Sequence, residues 1–86
     1  MEPIDYQVID LKDAFEPIAM LKISNSLHEM GLNQKIEVRI YDSDMLVNFN
    51  RLFNGYANRL MKQEIQSGNE NCRCMIIQPI QQETNT

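Results

Sequence analysis

The sequence predicts an α+β two-layer sandwich of order β-α-β-α-β-β, a mixed four-stranded sheet with two helices on one face. Three observations carry this expectation. Lys35–Tyr41 alternates strictly: Ile36, Val38 and Ile40 face one way, and Lys35, Glu37, Arg39 and Tyr41 the other. That is the pattern of a strand with one covered face and one wet face. Apolar residues at helical spacing lie on both sides of it in the chain. Finally, Ser67-Gly68-Asn69 is turn chemistry between two runs that suit strands.

Tyr6–Leu11 alternates weakly and reads as the first strand. Asp13 offers an N-cap, and Glu16 stands at capping-box spacing. Pro17 is tolerated only in a first turn, so a helix starts between Asp13 and Pro17. Met20, Ile23, Leu27 and Met30 give it one buried face, which Ile18 and Leu21 should widen. Phe15 either tucks into the core beside Leu11 or stands exposed as an aromatic anchor. Gly31 is a natural residue to end this helix.

After the second strand, Asp42-Ser43-Asp44 supplies caps for a second helix. Its apolar face is Leu46, Phe49, Leu52 and Phe53, and Gly55 is placed to stop it. Residues 58–66 suit a helix by propensity, but the turn that follows favours a hairpin from Arg59 to Gln78. The last strand is expected over Cys72–Gln78, ended by Pro79. Strands 1 and 2 should be parallel and the last two antiparallel. Residues 1–80 form a single domain on this reading, and Gln81–Thr86 is a polar tail.

The 86 residues carry 8 basic and 12 acidic side chains, a formal charge of −4. An acidic chain lacks the field that draws proteins to phosphate backbones, so nucleic acid is not the expected partner. Arg51, Arg59 and Lys62 are the one candidate basic patch. No apolar run is long enough to span a membrane. The N-terminus lacks the features of a signal peptide, and two thiols without a staple pattern fit a reducing compartment, so a cytoplasmic location is expected.

Several residues also match a known family pattern. Ile9-Asp10 leaves the first strand, and Ala14-Phe15-Glu16-Pro17 opens the first helix. Asp42 and Asp44 follow the second strand, and Gly55-Tyr56 follows the second helix. With the element order, this resembles the TusA/SirA family of small sulfur carriers over most of the chain, about Ile9 to Gln78. Family members have C-P-x-P at the start of helix 1, an acidic pair after strand 2 and Gly-His after helix 2. A thiol at a helix N-terminus sits at the positive end of the dipole, which favours the thiolate that accepts and passes sulfur. Here Ala14 takes the cysteine position, Phe15 replaces the first proline, and Tyr56 stands for the histidine. A methyl group cannot carry a persulfide. The resemblance therefore implies a non-catalytic member, docking on a protein partner of a sulfur-transfer or redox system through Ala14, Phe15, Glu16 and Pro17.

The alternative keeps sulfur chemistry and moves it to Cys72 and Cys74, the only thiols, two apart on a strand and so on one face. As a pair they could hold a persulfide or a soft metal, or be small packed residues. Two thiolates supply half of a tetrahedral zinc site, and Asp42 with Asp44 are too few carboxylates for a hard cation, so neither a metal centre nor a cofactor is expected. His28 has no nucleophile or acid at a diagnostic spacing. A third reading, a small nucleic-acid-binding domain, is opposed by the charge and by the lack of a G-x-x-G clamp.

Overall fold

The computed structural model describes residues 3–66, 68 and 71–80. Its elements are β1 (Asp5–Asp10), α1 (Glu16–His28), β2 (Gln34–Ile40), α2 (Ser43–Asn54), β3 (Leu60–Ile65) and β4 (Arg73–Pro79). The sheet order is β1-β2-β4-β3. β1 pairs with β2 in parallel, Ile9 beside Val38. β2 and β4 are antiparallel, Arg39 opposite Cys74, and β3 closes a hairpin on β4 with Lys62 opposite Ile77. The sandwich, its order and the hairpin over residues 58–66 are thus as the sequence predicts. The tail, 81–86, lies outside the described residues, as do Ser67 and Asn69; Gly68 takes φ +79, which a side chain would strain.

One core joins the layers. From the sheet come Ile9, Ile36, Val38, Ile40, Leu60, Met75 and Ile77, and from the helices Ala19, Ile23, Leu27, Met45, Phe49 and Phe53. Phe49 is fully buried, and its ring centroid lies 6.3 Å from that of Phe53. Lys62 Nζ sits over both rings, 5.8 and 5.2 Å from their centroids, and its other side bonds Asn50.

The helix ends differ in how well the sequence foretells them. Asp42 caps α2 by accepting from the Asp44 N–H at 2.9 Å, and Gly55 is its C-cap. The capping box at α1 does not form. Asp13 adopts φ +60, whereas an N-cap needs extended backbone, so the cap falls on Phe15, which has no side-chain acceptor. The cause is the turn after β1: the Lys12 N–H bonds Asp10 Oδ1, the Ala14 N–H bonds the Leu11 carbonyl, and helical geometry is delayed until Glu16. At the other end α1 stops at His28, before Gly31. Arg59 donates to the carbonyls of Leu27 and His28 at 2.8 and 3.0 Å and so serves the unpaired end of the helix. Pro79 is the final residue of β4 rather than a stop beyond it; the ladder resumes at once, with the Ile80 N–H donating to the Arg59 carbonyl.

The largest departure is on α1. Ile18 and Leu21 do not widen the buried stripe. They are 65 % and 62 % exposed. Ala19, Ile23 and Leu27 are its buried residues, with Met20 half-buried, and among the described residues Ile18 and Leu21 meet no covering layer.

Candidate functional site

Two regions carry the residues singled out by the sequence. The first is the start of α1. Ala14 is half-buried against the core, and Glu16 Oε1 accepts from Asn48 Nδ2 of α2, tying the two helices together. Phe15 does not tuck beside Leu11; it is 68 % exposed. Pro17 is exposed beside it. Ile18 and Leu21 follow Phe15 at three-residue steps, the spacing of neighbours along a helix surface. Three large apolar side chains, at 15, 18 and 21, are thus exposed at the N-cap and first turns of α1. Because both helices follow parallel strands, their N-termini lie at one end of the sandwich. That end carries the carboxylates of Asp13, Glu16, Asp42 and Asp44, and Arg73 lines a depression with Asp42. The sequence leaves Phe15 open between core and surface and places Ile18 and Leu21 inside. Only the missing counterpart across from them, which is tertiary information, marks them as surface.

The second region is the uncovered face of the sheet. β2 presents Lys35, Glu37, Arg39 and Tyr41 there, β1 presents Tyr6, Val8 and Asp10, and β4 presents Cys74 and Ile76. Glu37 is buried at its centre. The Tyr6 hydroxyl donates to Glu37 Oε1 at 2.5 Å, and Arg39 Nε donates to Oε2 at 2.5 Å. Arg39 also faces Asp10 at 3.7 Å, and Asp10 accepts from the Tyr41 hydroxyl at 3.1 Å. Beside this chain, Cys72 and Cys74 are buried with Sγ atoms 3.9 Å apart, and Cys74 Sγ lies 4.0 Å from Glu37 Oε2. Both thiols line a depression of about 370 Å³ with Glu37, Arg39, Tyr41 and Ile65.

The titrations follow from these contacts. The bonds from Tyr6 and Arg39 hold the Glu37 carboxyl below its ordinary value. Burial, then the neighbouring Cys72, pushes the Cys74 thiol up. Tyr41 is pushed up to about 12, first by its hydrogen bond with Cys72. Stability should therefore fall at both ends of the pH scale. Glu37 contributes fully above about 4.5, and its contribution is lost as the pH falls through its lower folded value. Cys74 and Tyr41 hold their protons beyond the unfolded values of 9.0 and 10.0, so what they contribute is lost above those values, for Tyr41 up to about 12. Urea unfolding across pH should give a plateau between roughly pH 5 and 9. A Glu37→Gln variant should flatten the acid limb, and a Tyr41→Phe variant the upper part of the alkaline limb.

The remaining sequence candidates have structural work. Arg59 holds the end of α1 and stacks on Tyr56, and Lys62 covers the phenylalanines. Arg51, the third residue of the candidate basic patch, is exposed on the last turn of α2. Gly55 and Tyr56 complete the end of α2, with the Tyr56 hydroxyl 3.3 Å from Ser24 Oγ. Among the described residues no group of three or more His, Cys, Asp or Glu side chains is placed to hold a metal ion, and no helix is long and apolar enough to cross a membrane. No protein-family model matches the chain, and no curated protein or solved structure matches it.

Proposed function

We propose that this protein is a non-catalytic interaction module of the TusA/SirA kind, docking on a protein partner of a cytoplasmic sulfur-transfer or redox system through the start of α1. The observation that carries this reading is the exposure of Phe15 at the position where the family's motif opens helix 1. Aromatic side chains dominate binding hot spots, and an exposed one flanked by Ile18 and Leu21 has an anchor's geometry. The carboxylates of Asp13, Asp42 and Asp44 around it select the partner's chemistry: an apolar pocket with a basic rim. Ala14 provides no nucleophile there. Sulfur carriage by Cys72 and Cys74 stands second, because burial keeps the Cys74 thiol protonated and a persulfide begins from thiolate.

The test uses a purified cysteine desulfurase and a purified rhodanese-type sulfurtransferase as partners. Wild type should form a complex with one of them, and Phe15→Ala should weaken it by at least about 30-fold, the effect of losing a hot-spot side chain. Its melting temperature should not move. Intact mass after incubation with the desulfurase and cysteine should show no added sulfur. A thiol-labile sulfur adduct that disappears in Cys72→Ser/Cys74→Ser would instead put the carrier reading first. Complexes indifferent to Phe15 would remove the docking surface.

A further inference from the structure

We propose that Cys72 and Cys74 form a binding site for one soft monovalent metal ion, Cu(I), on the uncovered face of the sheet. Three features converge there. The thiols are adjacent on one face, with sulfurs 3.9 Å apart, within sulfur hydrogen-bond reach, and no disulfide between them. With a metal–thiolate bond of about 2.3 Å, that separation subtends roughly 116° at a shared ion, between the tetrahedral and trigonal angles. No rearrangement of the strand is needed to bring both sulfurs onto one cation. Both also line the depression, so a third coordination position faces open space.

The donor set selects the ion. A structural zinc site is closed by four ligands, and hard cations need six or more oxygens or ordered waters. Two thiolates, with no third His, Cys, Asp or Glu placed to join them on a metal ion among the described residues, suit a cation that prefers soft sulfur and accepts few ligands, which is Cu(I). Binding replaces two protons: Cu(I) and two thiols give a dithiolate complex of charge −1 and two protons released to solvent. No electron is transferred. The charge left on the site has a neighbour of opposite sign, because Arg39 stands directly across the ladder from Cys74. That one cation is shared, since Arg39 also bonds Glu37 and faces Asp10, so it offsets only part of the added charge. Arg39 is thus a positioning and charge-balancing residue, not a ligand. A small ion reaches both sulfurs from the depression and displaces their protons as it binds, so affinity should rise with pH.

The experiment is an anaerobic titration of the reduced, full-length chain with Cu(I) against bicinchoninate as competing chelator. Wild type should hold one Cu(I) per chain. Cys72→Ala and Cys74→Ala should each weaken binding by at least about 100-fold, and Arg39→Gln by about 10-fold, the scale of an outer-sphere loss. Copper should raise the melting temperature of wild type and leave that of either cysteine variant unchanged. X-ray absorption on the loaded wild type provides a readout independent of any variant, with sulfur nearest neighbours at about 2.3 Å. Loss of all copper to the chelator, equal binding by the single variants, a metal shell of nitrogen or oxygen, or copper that lowers the melting temperature would each overturn the site. So would Zn(II) held as tightly as Cu(I). Phe15→Ala should bind copper normally, so this site stands or falls apart from the docking surface.

Discussion

Replacing Phe49 by alanine is expected to cost about 3–5 kcal/mol of folding stability. Phe49 has no exposed surface and lies where α2 meets the sheet, stacked on Phe53 and covered by Lys62. Truncation removes the transfer energy of the ring and leaves a cavity that two packed layers cannot close. It also removes one of the two rings under the Lys62 ammonium. A domain of this size is stable by about 4–13 kcal/mol in total, so the variant should be near the edge of folding. Its melting temperature should fall by at least ~12 °C, from 4–8 °C for each kcal/mol. Phe49→Leu keeps most of the volume and should cost less than half as much. Thermal and urea unfolding by circular dichroism measure both, and a loss below about 1 kcal/mol for the alanine variant would be incompatible with a fully buried ring.

Elements whose signal is local were legible in the sequence. β2 alternates because one face meets helices and the other solvent, and that contrast is written residue by residue from Lys35 to Tyr41. The start of α2 was legible for a similar reason: Asp42 bonds an N–H two residues away, so cap and capped group lie within one turn. The hairpin was harder, since Arg59–Ile65 suits a helix by propensity. Pairing with β4 outweighs that preference, as tertiary contacts do at an edge strand. The start of α1 misled because a capping box specifies residue types, not backbone angles; the Asp13 backbone at φ +60 is set by the turn that leaves β1. At the sites the same division holds. That Cys72 and Cys74 share a face is what strand period suggests, although β4 starts only at Arg73, one residue later than the sequence implies. That they meet Arg39 and Glu37 depends on β4 lying next to β2 rather than beside β1, which no local pattern states.

Ile23→Ala is expected to cost about 2–5 kcal/mol, whereas Ile18→Ala, on the same helix with the same side chain, should stay within about 0.5 kcal/mol of wild type. The two positions are five residues apart and differ in one respect. Ile23 has no exposed surface above the sheet, and Ile18 is 65 % exposed. Leu21→Ala should behave as Ile18→Ala does, because helix propensity slightly favours alanine at both sites and no packing is lost. Equal losses at 18 and 23 would mean that both faces of α1 are covered in the monomer. The contrast bears on function as well as on fold. Exposed large apolar residues do not stabilise the monomer, and they carry a risk of aggregation. A single one on a surface needs no account. Three at the N-cap and first turns of α1 are what the proposed docking surface would use. If Ile18→Ala and Leu21→Ala leave stability unchanged yet weaken the same complex that Phe15→Ala weakens, these residues form one binding surface, and the hydrophobicity that made α1 look broader-faced in the sequence is that of a docking site.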